Sequence, residues 1–197
     1  MNMKNNITSI LREIGSELKK HHGSVASSKK SDSPADVVTE LDRWAEKTTK
    51  NELQKLDSSF EFVGEEFGGD RNAKKKWLMD PIDGTAHFIR GLPFCTIMLS
   101  RIENEIVVES FIYNFVLDEL YYAKKNQGAF LNDKTIHVSN NSLEDAYIGY
   151  ETRFEKEENQ RKFFEFKLET GALIIATISS GYEFGLIASG KLDGRIQ

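Results

Sequence analysis

The stretch WLMDPIDGT, residues 77–85, carries the pattern that decides the fold. Its apolar start predicts a strand that delivers the carboxylate of Asp80 at its end. Pro81 has no N–H for a sheet hydrogen bond, so the strand is expected to stop there. Asp83 follows three residues after Asp80, so both carboxylates can lie on one side of the turn, ahead of a short helix through Phe88.

Carboxylates in this position favour the binding of a hard cation such as Mg²⁺, and free backbone amides at the start of a helix can bind phosphate. A second acidic cluster, Glu65-Glu66, ends the preceding predicted strand, Glu61–Gly64. Two neighbouring strands that end in acids would form a carboxylate pocket that requires cations to be stable. Each motif alone is also typical of ordinary structure, because Asp-Pro and Asp-Gly form turns and Glu pairs are common on surfaces.

The composition is that of a soluble globular chain, since 39% of the 197 residues are apolar and 29% are charged. The net charge of −5 argues against nucleic-acid binding, whereas a small anionic substrate can still bind through divalent cations. No apolar run approaches the roughly 20 residues that cross a bilayer, and the N-terminus is a poor signal peptide. The single cysteine, Cys95, cannot form an internal disulfide, so a cytoplasmic location is expected.

Two helices are expected ahead of a run of strands. Residues 5–22 show a helical apolar face, and a second helix is expected from Thr39, where Asp42 completes a capping box. The strands predicted between the second helix and residue 144 are Glu61–Gly64, Trp77–Asp80, Phe94–Ile102, Glu105–Phe115, Glu119–Ala123, Ala129–Leu131 and Lys134–Val138. Their close spacing predicts an antiparallel sheet.

Beyond residue 144 the pattern changes to an α/β alternation. The elements predicted there are strand Ala146–Tyr150, helix Glu155–Leu168, strand Ala172–Ile178 and helix Ser180–Ser189. Lys191–Gln197 is typical of a turn entering another strand, for which no following partner is available. We therefore expect two parts: residues 1–143, with helices, antiparallel sheet and metal-binding motifs, and residues 144–197, a partial α/β subdomain.

Several motifs, in the same order along the whole chain, resemble the signature of the inositol monophosphatase family. The matching segments are DVVTELD (36–42), GEE (64–66), WLMDPIDGTAHF (77–88), RGLPF (90–94), GAFLN (128–132) and GKLDG (190–194). The resemblance implies a layered α/β fold, the α-β-α-β-α sandwich of that family with an incomplete C-terminal half. It also implies a homodimer as a common assembly.

The resemblance implies a magnesium centre. Glu65, Asp80 and the backbone carbonyl of Ile82 would bind a first Mg²⁺, and Asp80 and Asp83 would share a second. Two cations would neutralise the phosphate oxygens and activate a water for in-line attack. The activity implied is Mg²⁺-dependent hydrolysis of a small phosphate monoester, above all of myo-inositol 1-phosphate to inositol and phosphate. A 3′(2′),5′-bisphosphate nucleotidase of the same superfamily is the nearest alternative.

The resemblance also assigns residues to catalysis and to substrate. Thr85 and Glu65 would orient and deprotonate the attacking water, and Asp42 would support the Thr85 hydroxyl. The backbone amides of Gly84 and Thr85, together with Asp83, would face the phosphate. Glu183 stands where the family has a small residue beside the substrate, so it is expected at the substrate site. Lys29 or Lys30 matches a loop lysine near the family's active site.

The sequence departs from the family in ways that weaken the expected activity. Family members continue beyond Asp193-Gly194 into a W-D-x-A-[AG] segment, whose aspartate completes the second metal site. Ile178 replaces an arginine that usually precedes the helix carrying Glu183. The second cation would therefore keep two carboxylates at most, which favours weak binding. The alternative reading is a truncated, catalytically impaired homologue that is retained as a binding module or is decaying.

Overall fold

The chain is described by a computed structural model that covers residues 3–25, 28–29, 37–150, 157–176 and 179–196. The helices are α1 (Met3–His21), α2 (Glu40–Leu56), α3 (Thr85–Arg90), α4 (Glu157–Thr170) and α5 (Ser180–Ala188), with a 3₁₀ turn at Leu143–Asp145. The strands are β1 (Ser28–Lys29), β2 (Val37–Val38), β3 (Glu61–Gly64), β4 (Lys75–Asp83), β5 (Thr96–Glu103), β6 (Ile106–Asn114), β7 (Glu119–Lys124), β8 (Gly128–Leu131), β9 (Lys134–Ile136), β10 (Tyr147–Tyr150), β11 (Leu173–Ile175) and β12 (Gly194–Ile196).

Strands β3 to β9 form a seven-stranded sheet in sequence order. The prediction of an antiparallel sheet is confirmed for β4 to β9 and wrong for β3, which pairs with β4 in parallel. The connection between β3 and β4, residues 65–74, is long enough to return the chain to the same end of the sheet, as a parallel pair requires. Because the two strands run in the same direction, their C-terminal ends meet at one edge.

Helices α1 and α2 cover one face of this sheet. The apolar stripe predicted on the first helix is buried at Ile7, Leu11, Ile14 and Leu18 and packs into the main core. The capping box predicted for the second helix is confirmed: the Thr39 side chain accepts from the backbone, and the Asp42 side chain accepts from the backbone of Thr39. The sheet residues in this core alternate along each strand, as the two-residue period of a strand requires.

Pro81 does not end its strand, contrary to the prediction. Strand β4 continues to Asp83, and its pairing with β5 shifts register between Asp80 and Asp83. A local irregularity accommodates the missing N–H of proline without breaking the sheet. The two aspartates therefore flank a bulge in one strand.

A second sheet has the strand order β11-β10-β12, with both pairs parallel. The last strand, β12, has no partner that follows it in the sequence, and it pairs with β10, which lies earlier in the chain. Ile148 of β10 faces Phe166 of α4, whereas its neighbour Gly149 lies against Glu183 of α5. The two helices thus cover opposite faces of the small sheet.

Helix α5 also packs on the large sheet, on the face away from α1 and α2. Its Gly181 lies against Thr96 and Met98 of β5, and its Gly185 lies against Tyr121 of β7. The layers are therefore α1 and α2, the large sheet, α5, the small sheet and α4, which is the expected α-β-α-β-α sandwich. The two sheets fall on either side of residue 143, and the division into separate parts at that point stays a prediction.

Across the described ranges, no helix combines the length and apolar character needed to cross a bilayer.

Candidate metal centre

The ends of β3 and β4 bring two carboxylates together. Gly64 of β3 pairs with Met79 of β4, so the next residues along, Glu65 and Asp80, are neighbours at the edge of the sheet. They open into a pocket of about 350 Å³. The pocket is lined by Gly64, Glu65, Arg71, Leu78, Met79, Asp80, Asp83, Met98, Ser100 and Ser180.

Negative charge is concentrated around Asp80. Burial raises the pKa of Asp80 well above its ordinary value, and the charges of Glu65, Asp83 and Asp42 raise it further. The backbone N–H of Ile82 donates to Asp80 Oδ1 at 3.1 Å, which orients the carboxylate. A carboxyl held in this way is stabilised by a proton or by a cation.

Asp83 is oriented by the first turn of α5 rather than by its own strand. It accepts from the Ser179 hydroxyl at 2.6 Å, the Gly181 N–H at 2.9 Å, the Ser180 N–H at 3.2 Å and the Thr96 hydroxyl at 3.3 Å. Burial raises the pKa of Asp83, and these hydrogen bonds oppose the shift. Asp83 therefore joins the large sheet to the N-terminus of α5.

The side chains of Thr85 and Asp42 lie in contact. The Thr85 hydroxyl has two acceptors within reach, the backbone carbonyl of Ile82 at 2.9 Å and Asp42 Oδ1 at 3.3 Å. The other oxygen of Asp42 accepts from the backbone and the hydroxyl of Thr39. The capping box of α2 thus fixes the carboxylate that faces Thr85.

Gly84 precedes α3 and allows the chain to turn there. Its φ of 82° is in the left-handed region, and a Cβ atom at this position would stand 2.4 Å from the carbonyl oxygen of Phe94. Only glycine fits both conditions. The roles of the Gly84 and Thr85 amides as phosphate donors stay a prediction.

Glu183 lies at the interface between α5 and the small sheet, and its expected role at the substrate site stays a prediction. Its side chain is fully buried and bonds to Arg195 of β12, with 2.6 Å between Arg195 Nη1 and Glu183 Oε2. It is absent from the described residues that line the pocket. The other expected residues Lys30 and Ile178, and the side chain of Lys29, lie outside the described residues.

Glu46 was missed in the sequence, although it helps to position the site. Its buried carboxylate on α2 accepts the N–H groups of Glu66 at 2.8 Å and of Phe67 at 2.9 Å, and so fixes the turn that presents Glu65. Asp42 and Glu46 are four residues apart on the inner side of α2, and acids at that spacing on a buried face were the available signal.

Replacing Gly64 with alanine is expected to disrupt this turn. The added Cβ would lie 1.9 Å from Glu46 Oε1, so the carboxylate would have to move and release the two amides. We expect a loss of about 1–3 kcal/mol in the free energy of unfolding, the usual cost of overpacking. Urea denaturation of Gly64→Ala beside Gly194→Ala checks this, because nothing lies within 4 Å of a Cβ at Gly194. Equal stability of the two variants would contradict the steric argument.

The donor atoms fit a divalent cation in their chemistry but do not form a complete preorganised set. Within the described ranges, no three His, Cys, Asp or Glu side chains are grouped closely enough to hold a metal ion. The oxygens of Asp83 accept hydrogen bonds from the first turn of α5. Glu65 and Asp80 still offer carboxylate oxygens at adjacent strand ends, and Mg²⁺ commonly binds through one or two carboxylates and completes its sphere with water.

Comparison with known proteins places the chain in a family. The profile of the inositol monophosphatase family matches residues 3–197. An inositol-1-monophosphatase of Rhizobium meliloti is 33% identical over 169 residues, which cover 82% of this chain and 63% of the relative. A fructose-1,6-bisphosphatase/inositol-1-monophosphatase of Thermotoga maritima is 33% identical over 179 residues, which cover 87% of this chain and 70% of the relative.

The fold agrees with that assignment. The crystal structure of the extragenic suppressor protein suhB from Bartonella henselae superposes with a TM-score of 0.87 at 29% identity, covering 98% of this chain and 76% of that one. The chain thus spans less than two thirds of the Rhizobium relative and somewhat more of the others. The profile match over nearly all residues and the shared architecture show that the chain belongs to the inositol monophosphatase family.

Proposed function

We propose that the chain supports Mg²⁺-dependent hydrolysis of a small phosphate monoester, with myo-inositol 1-phosphate as the first candidate substrate. The observation that carries the proposal is the meeting of Glu65 and Asp80 at the ends of two parallel strands, beside the Thr85–Asp42 contact. Membership of the family supports it, since relatives are named inositol-1-monophosphatases.

Glu65, Asp80 and the backbone carbonyl of Ile82 would hold the cation. When bound, Mg²⁺ supplies charge neutralisation for the phosphate and lowers the pKa of water. The Ile82 carbonyl already accepts from Thr85, and its second lone pair leaves room for one more contact. Glu65 is exposed at the pocket, so its carboxylate can take a proton from an attacking water.

The Thr85 hydroxyl would orient that water. Its single hydrogen is directed to Ile82 or to Asp42, which leaves the oxygen lone pairs to accept a hydrogen bond from water. Asp42 acts on the reaction only through Thr85 in this scheme. The amides of Gly84 and Thr85 at the start of α3 would donate to the phosphate oxygens.

Asp83 would bind a second cation only if the cation displaced hydrogen bonds that its carboxylate accepts from α5. Its two oxygens already accept four hydrogen bonds, which matches the roughly four lone-pair sites of a carboxylate. The second cation would therefore be the weaker one. This favours, as a second candidate, a homologue whose catalysis is impaired and which binds phosphorylated ligands without efficient turnover.

Release of phosphate from myo-inositol 1-phosphate, with and without Mg²⁺, tests the proposal. We expect Mg²⁺-dependent release that falls at least about a hundredfold in Asp80→Asn, because a lost carboxylate removes both a ligand and charge stabilisation. Asp133→Asn in the exposed turn between β8 and β9, which does not line this pocket, is the matched control and should keep its activity. Folded protein that releases no phosphate would reject the enzyme and leave the impaired homologue.

The substrate within this class is decided by parallel assays. Adenosine 3′,5′-bisphosphate tests the nucleotidase alternative, and fructose 1,6-bisphosphate tests the second activity named for the Thermotoga relative. The homodimer and the cytoplasmic location also remain proposals. Light scattering of the purified chain checks the first of these.

A further inference from the structure

Arg71 is the one cationic side chain among the described residues that line the pocket. It lies in the connection between β3 and β4, is exposed to solvent, and faces a cavity that also contains Glu65, Asp80 and Asp83. Within the described ranges its guanidinium makes no hydrogen bond and no salt bridge, whereas Arg43 and Arg12, also exposed, each pair with an acid. Arg71 is therefore a cation available to a ligand.

The turn that carries Arg71 is fixed by a buried lysine. Lys76 has only 8% of its side chain exposed, and its Nζ donates to the Arg71 backbone carbonyl at 2.6 Å and to Glu105 at 2.8 Å. Asp70 closes the turn by accepting the N–H of Asn72 at 2.9 Å. Burying an ammonium group is costly unless it is well bonded, so these contacts tie the turn to the start of β4.

The pocket extends along β4 from the carboxylates toward this turn. Asp80 pairs with Met98, and Leu78 pairs with Ser100, so the four side chains form two successive rows on one face of the sheet. Lys76, which holds the Arg71 turn, lies four residues before Asp80, roughly 13 Å along an extended strand. Arg71 and the carboxylates thus approach the cavity from different ends of β4.

A guanidinium in this position suits an anionic group. Its planar fork of N–H donors binds phosphate or carboxylate in a bidentate manner, and such charge-assisted bonds are among the strongest in proteins. A neutral polyol would leave the cation without a matching partner. In the proposed function the reacting phosphate would bind at the carboxylate end through a cation, which would leave Arg71 for a different group of the same ligand.

We propose that Arg71 is a specificity-determining residue that binds a second anionic group, so that phosphate monoesters carrying a further phosphate or carboxylate bind more tightly than monophosphates of neutral polyols. The inference rests on the proposed phosphatase function for the placement of the reacting phosphate. Leu78, Met98 and Ser100 then contact the part of the substrate between its two anionic groups. A monophosphate of a neutral sugar uses only the carboxylate end.

Glucose 1,6-bisphosphate and glucose 1-phosphate form a matched pair of probes, because they differ only in the second phosphate. Calorimetry with Ca²⁺ in place of Mg²⁺, to limit turnover, gives the Kd of each for the wild type, Arg71→Gln and Arg71→Lys. We expect the wild type to bind the bisphosphate at least about tenfold more tightly than the monophosphate, because one charge-assisted hydrogen bond contributes that much binding free energy. Arg71→Gln should reduce the ratio below about twofold and leave the monophosphate Kd unchanged.

The ratio of the two Kd values for Arg71→Lys should fall between those for the wild type and Arg71→Gln, because lysine keeps the positive charge but lacks the planar fork of N–H donors. Arg43→Gln, on the exposed side of α2, is the control and should behave like the wild type. Equal Kd values for the two probes in the wild type, no binding of either probe, or equal weakening of both by Arg71→Gln would overturn the proposal. Phosphate release with Mg²⁺ is measured separately, so loss of the phosphatase function and loss of the Arg71 preference are distinguished.

Discussion

Replacing Arg195 with leucine is expected to lower the free energy of unfolding by about 3–5 kcal/mol, the usual cost of removing one partner of a buried ion pair. Arg195 and Glu183 have 4% and 0% of their side chains exposed, and their charged atoms lie 2.6 Å apart. The substitution would remove the Arg195 guanidinium from the buried Glu183 carboxyl between α5 and the small sheet. Urea denaturation followed by circular dichroism measures the change.

Two further variants separate the buried charge from lost packing. Arg195→Leu combined with Glu183→Leu removes both charges, and most of the lost stability should return, because hydrophobic replacements of buried pairs are often neutral. Arg43→Leu breaks the exposed pair with Glu40, which should cost at most about 1 kcal/mol. If Arg195→Leu is as mild as Arg43→Leu, the buried pair does not stabilise the chain as argued.

Asp80→Asn is expected to raise the stability of the metal-free chain while it removes the response to Mg²⁺. The pKa of Asp80 is raised by burial first and by the charge of Glu65 next, so the folded chain binds a proton there more tightly than the unfolded chain does. Stability is therefore lost as the pH rises from the ordinary value near 3.8 through the raised pKa. Asparagine has no charge to bury, so this loss should be absent in the variant.

Thermal unfolding at neutral pH, with EDTA or with Mg²⁺, measures both effects. In EDTA, Asp80→Asn should melt several degrees higher than the wild type, because 1 kcal/mol corresponds to about 2–4 °C in a chain of this size. With Mg²⁺, only the wild type should gain stability, since a ligand stabilises the folded state that binds it. A variant that melts lower than the wild type in EDTA would contradict the prediction.

Features set by a few neighbouring residues could be predicted from the sequence. The capping box at Thr39 and Asp42 depends on a spacing of three residues and is confirmed. Strand β3 occupies its predicted range, and the neighbouring positions of Glu65 and Asp80 follow from adjacent strands that end in acids. These features depend on local hydrogen bonds and on periodicity, which the sequence displays directly.

Features set by tertiary contacts could not be predicted in this way. Pro81 predicts the end of a strand, because the sequence does not show that a β-bulge can accommodate the proline within the sheet. The pairing of Glu183 with Arg195 could not be predicted, because Arg195 lies on a different element and is brought close only by the small sheet. The hydrogen bonds between Asp83 and α5 are likewise tertiary contacts that no local pattern in the sequence indicates.

The hydrogen bonds between Asp83 and the first turn of α5 join residues that are 96–98 positions apart in the chain. During synthesis, the large sheet can form with Glu65 and Asp80 in place well before α5 leaves the ribosome. Closing so long a loop costs entropy that only the finished contacts offset, and non-local contacts of this kind slow folding. Until α5 docks, water rather than the helix would solvate the Asp83 carboxylate, so the last step of folding completes the orientation of the site.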